Sequence, residues 1–182
     1  MGTIKTTNIE PIADNGTVTL GSSGDTFTLG SGVVQSNLMY PAFEAYLSSD
    51  QTPSNGVNTK VQIDTEVFDT GNMYDNSTNY RFTPTVAGKY YVYASIKLYG
   101  NGDIEVSNTH IYKNGSLYKG AVFDPVNTSN SMNASNLFNA AVIDMNGTSD
   151  YLELFGLMQS GANRLFEAGT KNTFFGAYRI GS

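Results

Sequence analysis

His110 is the only histidine in the chain, so it is the first place to look for proton transfer. It lies in the strand-like stretch THIYKNG, and no cysteine or second histidine is present to join it. A structural or surface role suits it better than nucleophilic catalysis. A Ser-His-Asp triad has no fixed spacing, but the nucleophile-elbow motif that would mark one is missing. The acidic pairs Asp64/Glu66 and Asp103/Glu105 read as solvated strand positions more simply than as a glycosidase pair. The glycines of GSSGDTFTLGSG sit between Thr-rich strands and lack the helix N-terminus that phosphate binding uses. Without cysteine, disulfide scaffolds and thiolate-metal sites are excluded. These residues describe a protein that is not an enzyme, with a hydrolase of surface glycans as the weakest alternative.

The elements that must carry the remaining functions are strands. Alternating or β-rich runs cover Ala42 to Leu47, Lys60 to Phe68, Tyr90 to Leu98, Thr109 to Tyr112, Leu137 to Asp144, Tyr151 to Leu157 and Thr173 to Ile180. Asn55-Gly56, Asn101-Gly102, Asn114-Gly115 and Asn146-Gly147 punctuate them. Asn-Gly between β-formers signals a hairpin, because both turn positions need positive φ. No useful stretch of helical period occurs, so a sandwich, jelly roll or barrel follows. A chain of 182 residues buries about 70% of its unfolded surface and needs no metal or disulfide for a core. Charged residues are only 14% of the chain, while Asn, Thr, Ser and Gly are abundant. The net charge is −6 with no basic run, which excludes a phosphate-backbone partner. No apolar run is long enough for a membrane helix. The first residues, MGTIKTTNIEPIADNG, lack the apolar core of a secretory signal. An extracellular composition without a signal fits release by lysis, as for a phage protein.

Residues 1–36 stand apart. Thr17-Val18-Thr19-Leu20-Gly21-Ser22 recurs nine residues later as Thr26-Phe27-Thr28-Leu29-Gly30-Ser31. Val18, Leu20, Phe27 and Leu29 alternate with threonine. Two such short strands cannot bury an apolar face alone. The segment therefore reads as an intertwined β-shaft or an anchor to another protein, or, on the plainer reading, as a linker. Fully extended, it reaches at most about 120 Å.

From Lys60 to Leu98 the chain reads KVQIDTEVFDTGNMYDNSTNYRFTPTVAGKYYVYASIKL. This resembles the globular C1q/TNF-like domain, whose spaced pattern runs aromatic, Asn or Asp, aromatic, Phe, then Gly-x-Tyr-x-Phe-x-aromatic. Ile63 takes the first aromatic place, Asp69 and Tyr74 follow at family spacing, and Phe82 comes one residue late. Gly88-Lys89-Tyr90 match, while Val92 and Ala94 replace larger residues. Tyr40-Pro41-Ala42-Phe43 resembles the first family strand, HIYKNGSLYKG the central hairpin, and SDYLELFG with NTFFGAYRI the last two strands. The resemblance covers about 140 residues in order. The first stretch of the chain, TIKTTNIEPIADNGTVTLGSSGDT, is similar to the start of small virion proteins of tailed phages of marine bacteria.

The resemblance implies an all-β, C1q/TNF-like jelly-roll sandwich at 37–182, homotrimeric, with 1–36 as a short N-terminal β-rich extension. Phe82, Gly88, Tyr90 and Val92 are expected in its core, with Gly88 opening a strand. Tyr91 and Tyr93 share the opposite strand face, where the resemblance implies a three-fold contact. Tyrosine suits that role, since it buries area and keeps a hydrogen bond. No cofactor is required, although related trimers hold calcium near the apex, where Asp124 takes the place of a family ligand. The place of a second acidic ligand falls among Ser131 to Asn133, where this chain has no carboxylate. The expected partners are two further copies of the chain, another virion protein bound through 1–36, and a host surface glycan or protein. The expected location is the outer surface of the virion, on a tail fibre, on a spike, or as capsid decoration.

Overall fold

A computed structural model describes residues 40–100, 104–125, 132–161 and 163–181, together with Thr19, Gly21, Ser22, Asp25, Thr26 and Ser31. The chain divides into two units, Met1–Ser36 and Asn37–Ser182. In the first, the Ser22 and Asp25 backbones close a small turn, and the Ser22 N–H also donates to Asp25 Oδ2 at 2.6 Å.

The second unit is all-β among the described residues. Its strands are β1 (Ala42–Tyr46), β2 (Thr59–Lys60), β3 (Thr65–Asp69), β4 (Tyr74–Asp75), β5 (Arg81–Phe82) and β6 (Gly88–Tyr99). They continue as β7 (Ile104–Lys113), β8 (Ser116–Phe123), β9 (Ala134–Met145), β10 (Leu152–Ser160), β11 (Leu165–Phe166) and β12 (Phe174–Gly181). Every pairing is antiparallel. One sheet runs β9-β6-β12-β1-β3, with β11 continuing the β12 edge of β6. The other runs β8-β7-β10-β5-β4, with β2 beside β5 on the same edge of β10. The two sheets face each other as a jelly-roll sandwich, the expected fold class.

The period-two pattern of β6 decides its orientation. Tyr90, Val92, Ala94, Ile96 and Leu98 are fully buried, while Tyr91, Tyr93, Lys97 and Tyr99 on the other face are half-buried. Phe43 from β1 stacks on Tyr74 at 4.6 Å and on Phe82 at 4.5 Å, and meets Phe175 edge-on. Tyr74 donates its hydroxyl to the Ile63 carbonyl, and Tyr90 donates to Val86, so both phenols are buried with their polar ends satisfied. Gly88 lies at the rim of this core, at the start of β6 with φ 144. A Cβ there would meet the Gly181 carbonyl at 2.3 Å, so both the conformation and the space exclude a side chain.

Two details differ from the pattern in the sequence. The run from Lys60 to Phe68 is not one strand, because the chain crosses from β2 in one sheet to β3 in the other. Val61 still donates its N–H to the Leu154 carbonyl of β10, and the chain then leaves the ladder, burying Val61 and Ile63 on the way. Of the described Asn-Gly pairs, only Asn114-Gly115 closes a hairpin, at φ 52 and 75 between β7 and β8. Asn146-Gly147 instead turns the corner from β9 in one sheet to β10 in the other. There the Asn146 side-chain oxygen accepts the N–H groups of Thr148, Ser149 and Asp150. Asn55-Gly56 is fastened across to β10 through the Ser160 N–H and the Met158 carbonyl. Asn101-Gly102 lies outside the described residues.

Asp150 ties this corner to the hairpin. It accepts from Lys113 at 2.9 Å, from the Asn114 side chain at 2.7 Å and from the Asn146 backbone at 3.0 Å. The Lys113 bond, foremost, holds its carboxyl below the usual carboxylate range. A depressed folded pKa adds stability that is present above the unfolded value of about 3.9 and lost as pH falls through the folded value. Asp150→Asn is expected to cost about 2 kcal/mol at pH 7, and to flatten the fall in stability below about pH 4. Denaturation curves at several pH values check this. Curves that stay parallel between the two proteins would contradict it.

Candidate functional site

The side of the β6 sheet that faces away from the core carries a continuous aromatic cluster. In the ladder, Tyr93 stands between Gly176 and Ala140, and Tyr91 between Tyr178 and Val142. Their rings meet: Tyr91 lies 6.0 Å from Tyr93 and 5.5 Å from Tyr178, and Tyr93 lies 6.3 Å from Phe174. Gly176 makes this possible, since a Cβ there would sit 2.4 Å from the Tyr93 ring. The Tyr93 hydroxyl donates to Glu44 Oε2 at 2.7 Å. Burial, then that carboxylate, push its pKa well above the usual phenol value, so it stays a neutral donor. Phe138 and Val142 on β9 extend the same face, and they are 57% and 49% exposed.

The adjoining edge is also apolar. Strand β8 borders its sheet, and its Leu117, Tyr118 and Val122 are each about half exposed or more. Tyr118 donates its hydroxyl to the Val142 carbonyl, which brings β8 against β9 where the two sheets meet. The molecule thus presents a half-covered aromatic face and, beside it on β8, an exposed apolar edge. Contiguous apolar surface of this kind marks an interaction site.

The expected site residues are placed as follows. Phe82, Tyr90 and Val92 are fully buried as expected, but Gly88, expected in the core, is only half-buried, because it opens β6 at the rim where the strand enters the sheet. Tyr91 and Tyr93 lie at the centre of the aromatic face. Val18, Leu20, Phe27 and Leu29 lie outside the described residues. Asp124 is exposed just beyond β8. Among the described residues no three His, Cys, Asp or Glu side chains gather. Calcium takes six to eight oxygens, more than the Asp124 carboxylate provides. His110 Nδ1 lies 2.8 Å from Asn58 Oδ1, and burial lowers the histidine's pKa, so the ring is neutral at pH 7. Of the acidic pairs, Asp64 binds the Ser48 backbone and hydroxyl, and Glu105 accepts from Gln159. Asp103 lies outside the described residues. What the described surface offers is buried area and hydrogen bonding.

Phe138, Val142, Phe174 and Tyr178 were not singled out in the sequence. Their alternation was legible, but only the register shows that they share a face with Tyr91 and Tyr93.

No family model matches the chain, and no curated protein matches it. Solved structures do. Murine APRIL at pH 8.0 superposes with a TM-score of 0.57 at 10% identity, over 77% of this chain and 98% of that one. Eiger TNF from S. frugiperda gives 0.53 at 12% identity, over 78% and 94%. Murine APRIL at pH 5.0 gives 0.52 at 12%, over 76% and 99%. At such identities the likeness is one of fold, and the fold of residues 40–181 is that of a TNF-like jelly-roll domain.

Proposed function

We propose that the chain acts as a homotrimeric, non-enzymatic binding protein on the outer surface of a tailed-phage particle, with residues 1–36 attached to another virion protein. The observation that carries the trimer is the Tyr91, Tyr93, Phe174 and Tyr178 face, together with the Leu117, Tyr118 and Val122 edge. These two patches differ, so a contact between them is heterologous, and such contacts close into rings when the rotation allows. The location rests on the similarity of the first residues to small phage virion proteins. In this reading the head attaches to a host glycan or protein. The second reading is a capsid decoration trimer that stabilises the shell.

Light scattering on the purified chain is expected to give three times the chain mass of 19.6 kDa. A monodisperse monomer at micromolar concentration would sink the trimer. Calcium enters this proposal only through the assembly, where three Asp124 carboxylates would surround one axis. Chelator should then lower the melting temperature of wild type and leave Asp124→Ala unchanged. Identical melts remove the ion from the proposal. An excess of free protein should slow phage adsorption if the head is adhesive, by occupying receptors. If the protein is a cement, adsorption should be unaffected and particles lacking it should lose heat resistance. Neither effect would overturn both readings.

A further inference from the structure

We propose that a cleft beside Arg81 binds an acidic saccharide, with the guanidinium holding the sugar's carboxylate. Arg81 on β5 pairs in the ladder with Asp75 on one side and Glu153 on the other. Phe82 points into the core, so Arg81 faces outwards from the β10 sheet. Both flanking carboxylates are engaged elsewhere. Glu153 binds Lys60 at 2.6 Å. Asp75 accepts the N–H groups of Ser77, Thr78 and Asn79 at 3.1, 2.9 and 3.0 Å, and the Asn79 side chain at 2.7 Å. These bonds, that from Thr78 foremost, hold Asp75 well below the usual carboxylate range, so it stays ionised and occupied. The Arg81 guanidinium instead lies over the Tyr151 ring at 4.6 Å, and among the described residues it makes no hydrogen bond or ion pair. Contact with the ring face anchors the guanidinium without using its N–H donors. That preorganisation is what bidentate carboxylate recognition requires.

The space in front of it suits a sugar. The cleft has a volume of about 430 Å³, within the range of small-molecule sites. Asn72, Asn79, Thr83, Thr85 and Tyr40 line it beside Arg81, and so does Asp75, whose oxygens are taken by the donors named above. Neutral amides and hydroxyls complement saccharide hydroxyls, and a single cation complements one acidic group. The backbone also holds an unusual shape here. Asn72 and Tyr80 both have φ 51, and Tyr80 immediately precedes Arg81. A bulky residue in that region persists only where its surroundings over-determine it. Its lining combines β4 and β5 of the sheet opposite the aromatic face with Tyr40 and the segment 71–73, which leads from β3 to β4. This inference names a ligand class for the adhesive reading, and its biological sense rests on that reading.

Ligand-observed NMR on the full chain tests it, with galacturonate, glucuronate and N-acetylneuraminate as acidic probes, galactose as the neutral sugar and acetate as the bare anion. At least one acidic sugar should bind, about tenfold or more tighter than galactose and acetate. Arg81→Gln should weaken that sugar about tenfold, with an unchanged melting temperature. If Arg81→Gln fails to fold, Arg81→Lys replaces it and should also weaken binding, because it keeps the charge but loses the fork. Equal binding of galactose, equal binding of acetate, no binding of any acidic sugar, or full binding by the variant would each overturn the site. Phage adsorption separates the two proposals. If the sugar binds through Arg81 but excess protein does not slow adsorption, the adhesive reading falls and the site stands. If wild type and Arg81→Gln slow adsorption equally, adhesion stands and this site is not its cause.

Discussion

Phe82→Ala is expected to destabilise the domain by about 3–5 kcal/mol, the largest single-residue loss anticipated in the core. Phe82 is fully buried, stacks on Phe43 and meets Tyr90 edge-on at 5.8 Å. It also stands on β5, where it pairs with Leu152 of β10 and Tyr74 of β4. Truncation removes a ring from the point where Phe43, Tyr74 and Tyr90 converge, and the neighbouring rings are held by their own contacts and cannot collapse to fill it. For a chain of this size the loss corresponds to a drop in melting temperature of roughly 6–20 °C. Thermal unfolding followed by circular dichroism reads it directly. A melting temperature within error of wild type would mean that Phe82 is not at the centre of the core.

The second large effect is expected at the aromatic face. If the chain assembles through this face as proposed, Tyr93→Asp should leave it a monomer while the domain stays folded. Tyr93 lies on the solvent side of β6, so the substitution leaves the sandwich core intact. It removes the ring that lies over Gly176 and places a second carboxylate beside Glu44, which now accepts the Tyr93 hydroxyl. In an assembled interface that charge would be buried without a partner, a loss of about 3–5 kcal/mol per contact, repeated around the ring. Light scattering should fall from three chain masses to one, with the β-sheet spectrum retained. Tyr91→Asp serves as the second variant, since its ring touches both Tyr93 and Tyr178. A trimer that survives both substitutions would show that this face is not the contact.

The sequence by itself determined the fold class and the orientation of the central strand. Tyr90-Val92-Ala94-Ile96-Leu98 against Tyr91-Tyr93 is a period-two pattern, and a strand with one apolar set has one stable way to face a core. The aromatic spacing through Tyr74, Phe82 and Tyr90 was likewise legible, because those residues are local in sequence and their burial follows from type. The hairpin at Asn114-Gly115 could be read for the same reason, since both its positive φ values are a local property. What only the tertiary structure decided is everything that depends on which strands are neighbours. Asn146-Gly147 carries the same local signal as Asn114-Gly115, yet it joins strands of different sheets, because pairing depends on contacts far along the chain. Phe174 and Tyr178 join Tyr91 and Tyr93 only through the β6–β12 register, and Phe138 and Val142 only through β6–β9. The open fork of Arg81 depends on Glu153, 72 positions away, being taken by Lys60. Such commitments between distant side chains have no trace in local spacing, so composition and periodicity could describe the sandwich but not the surfaces it offers.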